Sequence, residues 1–115
     1  SKKDERLAAA PVLQGPEAAV TMDKEELVQK VHDALYASKI ISYAQGLDLI
    51  QEVRNVHDWG VDLGSCARIW RGGCIIRARF LNRITEAYER NSELTNLMLD
   101  DFFTDILNSN QGAWR

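Results

Sequence analysis

The stretch 24–56 contains no proline and a single glycine, Gly46. Asp23, directly before it, is a favourable N-cap, and Glu26 stands three residues later, where a carboxylate can complete a capping box. The stretch therefore predicts one helix over about 24–56. Such a helix is longer than a bundle of 115 residues ordinarily needs.

Apolar residues occupy more than one face of this predicted helix. At about 100° per residue, one face carries Val28, Val31, Leu35, Ser42, Gly46, Leu49, Ile50 and Val53. Other faces carry Tyr36, Ala37, Ile40, Ile41, Tyr43, Ala44 and Leu47. A helix that is apolar all round is surrounded by protein. We therefore expect a long, buried central helix that packs on several sides.

The rest of the chain also predicts helices. A short N-terminal helix should end before Pro11, and Pro11, Gly15 and Pro16 favour an extended connector over 11–22. A second long helix is predicted over about 66–90, with Ser65 as its candidate N-cap. Its stripe is Cys66, Ile69, Trp70, Gly73, Cys74, Phe80, Leu81, Ile84, Ala87 and Tyr88.

A last helical segment is predicted over about 93–114, with a break near Asp100 and Asp101. No useful alternating pattern indicates a strand. The sequence therefore predicts an all-α fold, in which antiparallel helices pack around the central one and residues 1–115 form part of a single domain.

Charge and cysteine usage narrow the function classes. A net charge of −3 and a pI near 5.3 favour neither nucleic acid nor an anionic membrane as a partner. No apolar run is long enough to span a membrane. On one helix, Cys66 and Cys74 would lie about 12 Å apart, too far for a disulfide. Two reduced thiols are typical of the cytoplasm.

Few residues suggest chemistry. His32 and His57 have no metal-ligand spacing, and the acidic group formed by Asp100, Asp101 and Asp105 is typical of a solvated face.

Three glycines and two cations interrupt the predicted helices. Gly46 and the pair Gly72 and Gly73 favour close helix packing over a phosphate loop, which needs a preceding strand. Lys39 and Arg77 fall on apolar stripes, where a buried cation needs a partner. A structural ion pair or a snorkelling side chain is favoured, and an anionic ligand stays open.

Three blocks resemble the decarboxylating 6-phosphogluconate dehydrogenases. They are the stretches ALYASKIISYAQG at 34–46, IWRGGCIIR at 69–77 and LMLDDFF at 97–103. KDER at 3–6 and Trp114 with Arg115 also match, so the similarity spans essentially the whole chain. The resemblance implies a segment of that family's C-terminal all-helical domain.

The resemblance also implies that the chemistry lies elsewhere. Family members oxidise 6-phosphogluconate with NADP and release CO₂ to give ribulose 5-phosphate, in a dimer and without a metal. Their dinucleotide fingerprint, catalytic lysine and glutamate belong to motifs before residue 1, and their tail arginine and histidine to motifs after Arg115. Lys39, Arg71 and Arg77 match family positions, but no role carries over to them.

We therefore predict no catalytic, cofactor-binding, substrate-binding or metal-binding residue in this segment. The leading hypothesis is a cytoplasmic enzyme fragment that supplies helical core and dimer interface, is inactive alone, binds no NADP and self-associates as a homodimer or larger oligomer. The alternative is a free-standing helical interaction module without enzymatic activity.

Overall fold

The computed structural model describes residues 3–13 and 21–114, and these form an all-α fold. The α-helices are α1 (Lys3–Ala9), α2 (Lys24–His57), α3 (Leu63–Ile69), α4 (Leu81–Arg90) and α5 (Asp101–Ser109). Two short 3₁₀ turns, Leu97–Leu99 and Gln111–Ala113, flank α5. Most of the connector predicted over 11–22 lies outside the described residues. No helix in the described part of the chain is both long and apolar enough to cross a membrane.

The ends of α2 follow from local chemistry. Asp23 is the N-cap, as predicted, because its Oδ2 accepts hydrogen bonds from the backbone N–H groups of Glu25 at 2.9 Å and Glu26 at 3.4 Å. The Glu26 carboxylate pairs with Lys30 at 3.5 Å instead of completing a capping box. Asp58 ends the helix in the left-handed region, at φ 53°.

Only one of the two apolar faces of α2 is buried in this chain. Its fully buried residues are Ala37, Ile40, Ala44 and Leu47. The apolar face predicted from Val28 and Leu35 lies about half a turn away and is exposed, with each of these two side chains 60% accessible. Within this segment, α2 is therefore covered on one side only, and its packing on several sides stays a prediction for the complete domain. The two faces have similar hydrophobicity, so periodicity could not rank them.

The helix predicted over 66–90 is wrong. This stretch instead forms two helices, α3 and α4, which are separated by an irregular loop over residues 70–80 (the 70–80 loop). Gly73 has φ +66°, a conformation that favours glycine and is incompatible with continued α-helix. Periodicity did not reveal this break, because the apolar residues of the predicted stripe keep the spacing of a helix through the 70–80 loop.

Close helix packing occurs at a different glycine from those predicted. A Cβ at Gly46, Gly72 or Gly73 would meet nothing within 4 Å, whereas a Cβ at Gly64 would lie 3.4 Å from Tyr88 Cβ. The small Gly64 thus lets α3 approach α4. The cap of α3 is Asp62, whose Oδ2 accepts from Ser65 N–H at 2.7 Å, and not the predicted Ser65.

One core joins α2, α3, α4 and the C-terminal segment. The segment predicted over about 93–114 is helical only from Leu97 onwards, since residues 91–96 are irregular. Its predicted break near Asp100 and Asp101 is confirmed, since Asp100 is extended and α5 begins at Asp101. The largest fully buried side chains are Phe103, Ile40, Leu47, Leu63, Leu81, Ile84 and Leu97. Helix α1 contributes no buried residue to this core.

Candidate functional site

Two of the sequence blocks face each other across one groove. The groove has a volume of about 380 Å³ and lies between α2 and the 70–80 loop. It is lined by Lys39, Ser42, Tyr43, Gly46, Trp70, Ile75, Ile76 and Arg77. We call it the apolar groove. The sequence analysis singled out both blocks. It did not predict the groove, because it placed the second block on one continuous helix over about 66–90.

Aromatic contacts hold the 70–80 loop on α2. The Tyr43 ring meets Trp70 at 6.2 Å between centroids and Phe80 edge-on at 5.1 Å. Phe80 in turn meets Tyr36 at 5.7 Å. Burial raises the pKa of Tyr43, and the neighbouring Cys74 thiol raises that pKa further. The phenol is therefore neutral at physiological pH and serves as a packing group.

The two cations of the groove are not buried. Lys39 lies on the exposed face of α2 and Arg77 lies in the 70–80 loop, and both side chains are exposed. Neither forms an ion pair with any carboxylate in the described part of the chain. A buried structural ion pair at these positions is therefore absent from the described residues. The alternative of a snorkelling side chain agrees with their exposure beside the apolar groove.

The groove holds no nucleophile paired with a base. Ser42 Oγ donates to the Ser38 carbonyl at 2.9 Å, within its own helix. The remaining polar lining consists of Lys39, Arg77 and the neutral Tyr43 phenol. Acyl transfer or hydrolysis needs a nucleophile within hydrogen-bond reach of a base. The described lining of the groove contains no such pair.

The other titratable candidates lie apart from this groove. His32 and His57 are exposed; His32 Nδ1 is 2.9 Å from Asp33, and the His57 ring stacks on Trp59 at 4.9 Å. Within residues 3–13 and 21–114, no group of three His, Cys, Asp or Glu side chains has metal-binding geometry.

The prediction of a solvated acidic face is wrong for Asp100. This residue is 8% exposed, and Arg90 Nη2 donates to its Oδ2 at 2.6 Å, whereas Asp101 and Asp105 are exposed. This hydrogen bond raises the pKa of Arg90. Asp100 therefore has a structural partner and is shielded from solvent.

The two cysteines form no disulfide. Contrary to the prediction, they do not lie on one helix. Cys66 lies in α3 and Cys74 in the 70–80 loop. Burial raises the pKa of the Cys66 thiol, and the Asp62 carboxylate raises that pKa further. The Cys66 thiol is therefore a poor nucleophile near neutral pH.

The described residues therefore define an all-α helical segment with a groove between α2 and the 70–80 loop. The sequence model for "6-phosphogluconate dehydrogenase, C-terminal domain" matches residues 1–115. The chain belongs to this family.

Relatives of known function agree with that assignment. The chain is 50% identical over 113 residues to "6-phosphogluconate dehydrogenase, decarboxylating" of Lactococcus lactis subsp. lactis (strain IL1403), covering 98% of this chain and 24% of that protein. It is 51% identical over 114 residues to "6-phosphogluconate dehydrogenase, decarboxylating 1" of Oryza sativa subsp. japonica, with the same coverages of 98% and 24%.

A solved structure shows the same fold. The Plasmodium falciparum 6-phosphogluconate dehydrogenase, studied in its apo form and in complex with its cofactor NADP+ and its substrate 6-phosphogluconate, superposes with a TM-score of 0.81 at 39% identity. The match covers 97% of this chain and 24% of that one. This chain thus spans about a quarter of the length of the relatives it matches.

Proposed function

We propose that this chain is a segment of the helical domain of a cytoplasmic, decarboxylating 6-phosphogluconate dehydrogenase, and that it supplies helical core and subunit interface. Support comes from the match over residues 1–115 together with the 24% coverage of the Lactococcus lactis relative. The complete enzyme would convert 6-phosphogluconate and NADP to ribulose 5-phosphate and CO₂. Two unbridged cysteines fit the reducing cytoplasm.

The exposed apolar face of α2 supports the part of the proposal that concerns the subunit interface. Val28, Val31, Leu35, Leu49 and Val56 lie along this face and are 57–75% accessible. These apolar side chains form two groups, at 28–35 and at 49–56, on either side of Lys39 and Ser42. Apolar groups repeated along one exposed helix face favour coverage by another protein surface. We call these five residues the α2 outer face. In the complete enzyme, further helices or the second subunit would cover it.

The middle of this face is shaped for a close partner. Ser42 and Gly46 interrupt the large side chains, and a Cβ at Gly46 would meet no atom within 4 Å. Small residues at one position let another helix approach closely. The described part of the chain is also elongated, with a radius of gyration of 18.2 Å against about 13 Å for a compact domain of this length.

The described residues do not fit a dinucleotide site. NADP-binding folds place pyrophosphate at a glycine-rich turn between a strand and a helix. The described segments contain only helices and loops, and no G-x-G-x-x-G occurs in the sequence. We therefore assign no NADP contact and no chemical step to this segment, and we expect it to be inactive alone.

An activity assay tests the catalytic part of the proposal. The purified chain is incubated with 6-phosphogluconate and NADP, and NADPH formation is followed by absorbance, with the complete Lactococcus lactis enzyme as positive control. We expect no turnover by the chain. Turnover by the chain would contradict the proposal that this segment is inactive alone. Intact mass of the native protein is the second measurement, since a mass of 13.0 kDa would favour a free-standing module.

Light scattering tests the interface part. We expect the isolated chain to self-associate through the α2 outer face and Leu35→Lys to produce a helical monomer, because a buried charge without a partner opposes association. Asn55→Lys is the control, since Asn55 is exposed on the same helix but outside that face. A wild-type monomer at high concentration, or equal effects of both variants, would contradict the proposal.

A further inference from the structure

The positive charge of this acidic chain is concentrated in one segment. Between Leu63 and Thr85 there is no Asp or Glu, although the whole chain has a net charge of −3. The same segment contains Arg68, Arg71, Arg77, Arg79 and Arg83. It comprises α3, the 70–80 loop and the start of α4, so the fold keeps these arginines close together.

Two of the five arginines have carboxylate partners. Arg68 Nη2 lies 3.4 Å from Glu89 Oε1, and Arg83 Nη1 lies 2.8 Å from Glu86 Oε2. Among residues 3–13 and 21–114, no carboxylate pairs with the other three.

The three arginines without a carboxylate line one groove. This arginine groove has a volume of about 550 Å³ and is lined by Arg71, Arg77, Ala78, Arg79 and Asn82. Three like charges around one groove repel each other, and an anion bound between them would remove that repulsion.

One of the three guanidinium groups is held in place before any ligand binds. Arg71 Nε donates to the Arg68 carbonyl at 3.2 Å, and Arg71 Nη1 donates to Asn82 Oδ1 at 2.7 Å. A guanidinium has five N–H donors, so Arg71 keeps three for a ligand. Such preorganisation lowers the entropic cost of binding.

From this geometry we propose that the arginine groove binds a small phosphate-bearing anion. Guanidinium groups match phosphate oxygens in planar, two-point hydrogen bonds, and several arginines together favour a group with more than one negative charge. Arg71 anchors the phosphate, and Arg77 and Arg79 contact it from the same groove. The inference rests on these side chains and not on the enzyme assignment.

Calorimetric titration with inorganic pyrophosphate tests the site on the 115-residue chain. We expect saturable binding to the wild type and a loss of roughly ten-fold or more in affinity for Arg71→Gln and for Arg77→Gln, since each removes charge-assisted hydrogen bonds. Arg77→Lys, which keeps the charge but not the two-point geometry, should fall between the wild type and Arg77→Gln. All of these arginines are exposed, so circular dichroism should show unchanged helix content.

Arg68→Gln is the matched control. It removes one positive charge from the same segment, but Arg68 does not line the groove. We expect it to change pyrophosphate affinity far less than Arg71→Gln does. Absence of binding at millimolar pyrophosphate, equal losses for Arg68→Gln and Arg71→Gln, or equally tight binding of citrate would each overturn the proposal.

Discussion

Arg90 Nη2 donates to Asp100 Oδ2 at 2.6 Å and ties the C-terminal end of α4 to the residue that precedes α5. The second oxygen of Asp100 is buried and has no partner in the described part of the chain. The carboxylate therefore depends on Arg90 alone for side-chain compensation of its burial.

Asp100→Ala should lower the thermal unfolding midpoint by several degrees, because it removes the side-chain bond between α4 and the start of α5 and truncates a side chain that is only 8% exposed. Asp101→Ala is the matched control, since Asp101 is the exposed neighbour in the first turn of α5. Differential scanning calorimetry measures both. Similar midpoints for the two variants would contradict a structural role for the pair.

Asp62 should make stability depend on acid pH. Its hydrogen bonds from the Ser65 side chain and backbone hold the pKa of Asp62 below its ordinary value of 3.8. A lowered folded-state pKa means that the stabilisation is present above about pH 3.8 and is lost as the pH falls through the lower, folded-state pKa.

Asp62→Ala should cost about 0.5–2 kcal/mol at neutral pH, the usual loss for a removed N-cap. Asp62→Asn keeps a capping oxygen but cannot titrate, so it should retain most of the stability and lose this part of the acid dependence. Chemical denaturation at several pH values separates the two effects. An unchanged acid slope in Asp62→Asn would show that other carboxylates cause it.

Tyr88 should make stability depend on alkaline pH. Burial raises the pKa of Tyr88 to about 12, above its ordinary value of 10.0, although nearby Arg54 lowers it slightly. The unfolded chain therefore loses this proton first, and folding stability should fall as the pH rises from about 10 to about 12. Tyr88→Phe should reduce this loss, and urea unfolding across that range measures it. Identical alkaline profiles for the two proteins would contradict the prediction.

The fold class and the start of α2 could be predicted from the sequence, because they depend on local signals. Asp23 caps a helix whatever that helix later packs against. The face of α2 that is buried could not be predicted from the sequence. Ile40 and Leu35 are similarly apolar, and only the contacts that the rest of the chain makes distinguish them.

The apolar groove was hidden for a different reason. Its formation requires the chain to turn at Gly73, and the only local sign of this turn is the adjacent pair Gly72 and Gly73. Glycine is common just past the end of a helix, so the pair can also be interpreted as a helix stop. Long-range aromatic contacts such as Tyr43 with Phe80 then fix the loop, and these are invisible to periodicity.

Ile40→Ala should lower the free energy of unfolding by about 2–5 kcal/mol, the usual cost of truncating a fully buried aliphatic side chain. Ile40 is completely inaccessible and belongs to the face of α2 that forms the core. Leu7→Ala is the control, because Leu7 is 63% exposed and should change stability by no more than about 0.5 kcal/mol. Comparable losses in denaturant melts would contradict the assignment of the core face.

Gly46→Ala should have opposite effects on folding and on association. In the monomer the new methyl group meets no atom within 4 Å, and alanine in a helix interior is favoured over glycine by about 0.5–1 kcal/mol. In a Leu35→Lys background, which keeps the chain monomeric, the free energy of unfolding should therefore rise by about that amount. In the wild-type background the same methyl group would separate the two α2 outer faces and raise the dissociation constant in sedimentation experiments. Gln45→Ala controls for helix propensity beside this position. Stabilisation in both backgrounds with unchanged association would show that Gly46 is not covered by a partner.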